Sequence, residues 1–211
     1  MKKLVIVKNF KWFIMFICIV SFILLAEDVF TNDIMQGDVI VYNFISKYLI
    51  SDYLTPIVKI ITWFGSASAL IIFSIILTIF IKNNKLRITI FLNLIIITIL
   101  NLGLKYFFHR PRPDIYRIIN ESGYSFPSGH SMISMAFYGY LIYLIFKYIE
   151  NKYLKYFLII TLGLLILLIG FSRIYLGVHY TSDVIAGFAI SISYLILFIN
   201  ITKNLKIPKI N

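Results

Sequence analysis

Ile88 to Leu104 reads I-T-I-F-L-N-L-I-I-I-T-I-L-N-L-G-L, an unbroken run without an ionisable side chain, entered past Arg87 and left at Lys105. A helix needs about 20 apolar residues to cross the hydrocarbon core of a bilayer, where every charge is expensive. With its flanking turns the run meets that length. Outward in both directions lie five more runs of the same character, so the predicted spans are 12–26, 57–81, 88–104, 132–146, 154–171 and 184–201. Lys59 is the one cation inside them, close enough to a span end for its stem to snorkel.

Composition agrees with the spans. Of 211 residues, 60% are hydrophobic and 14% charged, and the mean hydropathy is +0.91; soluble domains carry roughly 25% charged residues. The expected fold is all-α, a polytopic membrane protein with six transmembrane helices forming a single membrane-embedded domain over residues 1–211. Runs this apolar exclude disorder, collagen and coiled coil. Cys18, the one cysteine, excludes an intramolecular disulfide framework and a cysteine-based zinc site. The first span follows a basic start, as a signal peptide would, but no small-x-small cleavage site precedes Glu27, so it reads as a retained span.

Six spans put both termini on one side, and the Lys and Arg of the short loops say which. Lys2, Lys3, Lys8 and Lys11, then Lys82, Lys85 and Arg87, then Lys147, Lys152 and Lys155, then Lys203, Lys206 and Lys209 all fall on the same side. That side is expected to be cytoplasmic. Of the nine Asp and Glu, only Glu150 accompanies them. The formal net charge of +11, which in a soluble protein would point to nucleic acid, therefore becomes largely a topology signal. The outer segment from Asp28 to Pro56 is too long for a tight turn, and Val39, Tyr42, Ile45 and Leu49 recur at helical spacing, which predicts a short helix at the outer interface.

Dense polar sequence occurs only in three outer segments. The first is K-Y-F-F-H-R-P-R-P, Lys105 to Pro113; the second is F-P-S-G-H, Phe126 to His130; the third is S-R-I-Y-L-G-V-H-Y-T-S-D, Ser172 to Asp183. Together they bring Lys105, Arg112, Ser128, Gly129, His130, Arg173, His179 and Asp183 to one membrane face. One point cation and two planar guanidinium forks suit a phosphate. Pro-Ser-Gly leading into a helix aims backbone N–H groups and the positive helix end at the same anion. His179 and Asp183 are four residues apart, a spacing that meets on one face if the last helix begins this early. The carboxylate would then hold one ring N–H and leave the other nitrogen free to attack, with His130 left as proton donor. Taken singly, each residue has a plainer role, as a snorkelling anchor, a solvated histidine or an N-cap. Their conjunction, in order and on one face, argues against those roles. His109, Arg110 and Arg117 fall outside the pattern and read as bystanders.

K-x6-R-P (Lys105, Arg112, Pro113), P-S-G-H (Pro127 to His130) and S-R-x5-H-x3-D (Ser172, Arg173, His179, Asp183) resemble the type 2 phosphatidic acid phosphatase superfamily. All three motifs are complete. The resemblance implies an all-helical core and metal-independent hydrolysis without a cofactor. It further implies that His179 is the nucleophile, Asp183 its orienting partner and His130 the general acid, with Lys105, Arg112, Ser128, Gly129 and Arg173 binding phosphate. Small size and the lack of an added soluble domain look like bacterial plasma-membrane members acting, at the extracytoplasmic face, on undecaprenyl pyrophosphate, phosphatidylglycerophosphate or phosphatidic acid. The abundance of Ile, Lys and Asn fits an AT-rich bacterial genome.

The expected partners are a lipid carrying a terminal phosphate or pyrophosphate and the bilayer that holds it, with no nucleic acid. A lipid phosphotransferase on the same scaffold, passing the phosphoryl group to an acceptor other than water, is the alternative. A small transporter would carry ionisable groups or broken helices near the bilayer midplane, and these spans carry almost none.

Overall fold

The computed structural model describes residues 2–31, 34–114 and 117–203, with side chains from residue 10 onward. Asp33, one of the nine acids counted above, and Lys206 and Lys209 of the charge reading lie outside the described residues. Eight helices, and no strand among the described residues, make up the fold: α1 Lys2–Phe30, α2 Gln36–Tyr48, α3 Leu54–Trp63, α4 Ala67–Phe80, α5 Asn84–Phe108, α6 Gly129–Tyr148, α7 Lys152–Tyr175 and α8 Thr181–Thr202. Five of them, α1, α5, α6, α7 and α8, are long and apolar enough to cross a membrane. Where one helix over 57–81 was expected stands the pair α3 and α4, bent by 54°, which is long and apolar enough for a sixth crossing when the two are taken together as one span.

At that bend the chain packs closely against α6 and α7. Gly65 lies against its neighbours so tightly that a Cβ there would stand 2.6 Å from Ile169 Cγ2, 3.0 Å from Ser134 Oγ and 3.2 Å from His130 Cδ2. Ser66 then restarts the helix as an N-cap, its Oγ accepting from the Ala69 N–H at 3.3 Å. The Tyr138 hydroxyl donates to the Phe64 carbonyl at 2.8 Å, satisfying backbone that the break releases.

α6 is the axis of the bundle and packs on α5, α7 and α8. Its Phe137, Tyr140 and Leu144 meet Ile90 of α5, Ile166 and Ile169 of α7, and Leu195 and Phe198 of α8 in one buried cluster. Side-chain hydrogen bonds cross the same interfaces, from Asn93 Nδ2 to the Ala136 carbonyl at 2.9 Å, from Tyr140 to Thr89 at 2.9 Å and from Ser191 to the Met132 carbonyl at 2.7 Å. Such bonds inside a membrane bundle contribute about 0.6 kcal/mol each, so close packing outweighs any one of them. The opposite faces are apolar and exposed, with Phe13, Phe16 and Ile23 on α1, Ile95 and Ile99 on α5, and Ile160 and Leu167 on α7. An apolar belt of this extent matches a lipid environment.

The expected interfacial helix is α2. Ile45 is buried and Tyr42 partly so, as the spacing predicted, whereas Val39 is exposed. Asp38 is buried as well, an acid on the packed face of the helix. Ile40, Phe44 and Tyr48 line the outward face and are exposed.

Candidate active site

The proline-rich segment after α5 aims two arginines. His109 takes left-handed backbone (φ 50°) and ends the helix, its N–H bonding the Lys105 carbonyl at 3.1 Å. Arg110 and Arg112 each precede a proline, which bars them from helical backbone and keeps the segment extended. The Ser125 N–H holds the segment by bonding the Arg110 carbonyl at 2.9 Å.

Arg112 reaches the third motif. Its Nη1 donates to the Val178 carbonyl at 3.0 Å and lies 3.1 Å from His179 Nε2, while Nε and Nη2 donate to the carbonyls of Gly123 at 2.9 Å and Ser122 at 3.0 Å. A guanidinium has no acceptor to offer. The contact is a hydrogen bond when His179 Nε2 bears the lone pair, the tautomer whose ring proton is on Nδ1, 3.2 Å from Asp183 Oδ2. Burial pushes the His179 imidazole well below its ordinary value, and Lys105, Arg173 and Arg112 push the same way, so the ring is neutral.

The helix carrying Asp183 begins later than the four-residue spacing suggested. α8 starts at Thr181, leaving His179 in the preceding loop. The pair meets through the helix cap instead, because Asp183 Oδ2 also accepts the Tyr180 N–H at 2.9 Å, which folds the loop back over the first turn. The Asp183 carbonyl in turn accepts the Ser128 N–H at 3.1 Å, tying the second motif to the third.

Ser128 caps α6. Its buried hydroxyl accepts from the Ser131 hydroxyl at 3.0 Å and the Ser131 N–H at 3.5 Å, which leaves its own proton to donate. Gly129 is seated where a Cβ would stand 3.0 Å from Asn101 Oδ1 and 3.7 Å from Lys105 Cε. Lys105, on the last turn of α5, donates to the Tyr124 carbonyl. His130 feels the charges of Arg173, His179, Arg112 and Lys105 together, which places all five groups in one electrostatic neighbourhood.

Arg173 is 1% exposed. Its Nη2 pairs with Glu121 at 2.5 Å and its Nη1 donates to Thr62 Oγ1 at 2.8 Å. Its Nε is buried without a partner. An unmet buried donor is costly, and this one is a place for an acceptor oxygen. Glu121 and Thr62 bear on the site although no motif contains them.

Arg110 is no bystander. It is 6% exposed and its Nη1 donates to Asp183 Oδ1 at 2.6 Å and to Ser182 Oγ at 2.8 Å, while Nη2 pairs with Asp38 of α2 at 3.2 Å. Its guanidinium also lies 4.1 Å from the centre of the Tyr180 ring. The repeated Arg-Pro of the first motif was the available signal for Arg110; Asp38 had only the oddity of an acid inside an apolar helical pattern. His109 caps α5, as described, and Arg117 pairs with the exposed Asp114 at 2.6 Å.

A cavity of ≈ 360 Å³ opens on His179 and Arg112, walled by Val39 and Tyr42 of α2, by Ile174 and Tyr180, and by the Pro111 to Asp114 segment. Of the eight motif residues only Arg112 and His179 line this cavity; Lys105 and Arg173 act on His179 and on His130 through their charges, and apolar walls lead away from the Arg112–His179 pair. The arrangement can hold an oxyanion, attack it, and accommodate an apolar group behind it.

A sequence profile of the PAP2 superfamily matches residues 71–207. The chain is 41% identical over 96 residues to phosphatidylglycerophosphatase B of Bacillus subtilis, a stretch covering 44% of this chain and 47% of that protein. It is 31% identical over 88 residues to lipid phosphate phosphatase delta of Arabidopsis thaliana, covering 41% of this chain and 21% of that one. The chain thus matches less than half the length of either relative. Among solved structures, the transmembrane PAP2-type phosphatidylglycerolphosphate phosphatase of Bacillus subtilis superposes with a TM-score of 0.79 at 27% identity, over 91% of this chain and 97% of that one. LpxE of Aquifex aeolicus superposes with a TM-score of 0.65 at 26% identity, over 80% and 97%. The matched stretch 71–207 contains all three motifs, and the chain belongs to the PAP2 superfamily.

Proposed function

We propose that this protein is a lipid phosphatase of the bacterial plasma membrane that removes a terminal phosphate at the extracytoplasmic face through a phosphohistidine. The observation that carries the reading is the geometry around His179: Nδ1 lies 3.2 Å from Asp183 Oδ2 and Nε2 lies 3.1 Å from Arg112 Nη1, a group that can only donate, which assigns the ring proton to Nδ1 and the lone pair to Nε2. Supporting it are the unmet Arg173 Nε, the family membership and the charge asymmetry of the loops.

Phosphate enters among Lys105, Arg112, Arg173, Ser128 and the N–H groups at Gly129, which offset the charge spread over its equatorial oxygens. His179 Nε2 attacks phosphorus in line, and the bond to the leaving oxygen breaks. His130, protonated beside the phosphate's charge, gives its proton to that oxygen. In the second step neutral His130 takes a proton from water, the water oxygen attacks phosphorus, and the P–N bond breaks to restore the His179 lone pair. Asp183 keeps the ring oriented and offsets the positive imidazole of the intermediate. No step calls for a metal.

The substrate is a lipid with a terminal phosphate. Phosphatidylglycerophosphate is the first choice because relatives in sequence and in structure carry its name; phosphatidic acid and undecaprenyl pyrophosphate are the comparators. Purified protein in EDTA, offered the three lipids side by side, should release phosphate, and acid-labile label should appear on the protein from ³²P-substrate. EDTA-sensitive release, or label absent under trapping conditions, overturns the mechanism.

A further inference from the structure

Asp38 stands outside every motif, on a helix that contributes no phosphate ligand. Its carboxylate is nevertheless bonded on every side, to Arg110 Nη2 at 3.2 Å, to the Ser182 hydroxyl at 2.6 Å and to the Ser182 N–H at 2.8 Å. Arg110 joins this carboxylate to that of Asp183. His179, Asp183, Arg110, Asp38 and Ser182 form one continuous buried network.

The charges explain why two acids are needed. With Arg110 paired to Asp183 alone, the cation and the carboxylate would cancel, and little negative charge would be left for the imidazole. Asp38 takes the other half of the fork, so one negative charge remains beside His179. The imidazole acquires positive charge when Nε2 becomes phosphorylated, and low polarity around it makes the remaining charge count. The fork is also geometric: a planar guanidinium bridging two carboxylates fixes both, and with them the plane of the histidine ring.

We propose that Asp38 and Arg110 are positioning residues that set the tautomer and basicity of His179 through Asp183. The proposal rests on His179 being the nucleophile. It makes α2 part of the machinery, since the helix whose outward face is exposed and apolar carries the distal carboxylate on its inward face.

The test is Asp38→Asn, which preserves shape and an acceptor for Ser182 while removing charge. On phosphatidylglycerophosphate in mixed micelles, kcat should fall between about 10-fold and about 100-fold, with KM unchanged, because the lost interaction serves the transition state rather than binding. The chain has three histidines, His109, His130 and His179, so ¹⁵N-histidine spectra of the resting protein can be assigned by substitution. The Nδ1–H tautomer of His179 should give way to a mixture in the variant. Unchanged His179 shifts, or unchanged kcat, in a variant that still unfolds cooperatively overturns the proposal. If Asp38→Asn does not fold, Arg110→Lys decides by the same two readouts, since a point cation cannot bridge both carboxylates. His179→Ala separates the two claims: full activity there defeats the phosphohistidine reading, whereas the spectra report on Asp38 without turnover.

Discussion

Arg112 Nη1 lies 3.1 Å from His179 Nε2, so the cation proposed to bind phosphate rests on the nitrogen proposed to attack it. The two cannot both keep this contact and receive a phosphate. On the proposed mechanism, entry of substrate would move the guanidinium from nitrogen lone pair to phosphate oxygen, exchanging a neutral acceptor for a charged one. Arg112→Lys should lower kcat/KM by about 100-fold or more, the range seen on losing one preorganised donor. Steady-state kinetics on lipid micelles check this, and a loss confined to KM would mean that Arg112 only recruits substrate.

His179→Ala removes the attacking atom and leaves the cations in place. Turnover should disappear, with the thermal unfolding midpoint in detergent within a few degrees of the parent. The variant should still bind orthovanadate or phosphate, measured by calorimetry, because Lys105, Arg112 and Arg173 remain.

The His179 ring is held neutral by burial and by surrounding cations. Its folded pKa lies below the unfolded value of about 6.5, so as pH falls the unfolded chain takes up the proton first. Stability from this group is therefore complete above about 6.5 and declines as pH drops toward the lowered folded value. Unfolding midpoints measured across that window should fall more steeply for the parent than for His179→Ala. Equal slopes would show that His179 does not titrate in the predicted direction.

Gly65→Ala puts a methyl group 2.6 Å from Ile169 and 3.2 Å from the His130 ring. Overpacking of this kind costs about 1–3 kcal/mol. Because His130 is one of the groups displaced, kcat should fall by more than the folded fraction does. Thermal unfolding and kinetics on the same preparation separate the two effects.

Much of the candidate site could be proposed from the chain because its residues lie at fixed spacings next to span ends. Lys105, Ser128, Arg173 and Asp183 all flank apolar runs, where a polar side chain has only one surface to reach. Arg110 could not be read so: in an extended Arg-Pro-Arg-Pro segment, which arginine turns to which neighbour depends on the packing of Ser125 and α8. Asp38 carried only the oddity of an acid in an apolar helical pattern, because its contacts exist only once α2 lies against Ser182. The bend at Gly65 was hidden for a different reason. Hydropathy is continuous through 57–81, and the cause of the break is contact with α6 and α7, which no local pattern reports.

The motif groups sit at helix ends: Lys105 on the last turn of α5, Ser128 capping α6, Arg173 on the last turn of α7 and Asp183 on the first turn of α8. The distances between them are set by how these four ends sit side by side, not by how far each helix runs. The proposed catalytic centre is in effect a cross-section of the bundle. Whole turns added at the far ends, to suit a thicker bilayer, would leave it in register, whereas sideways spreading of the helices would pull it apart.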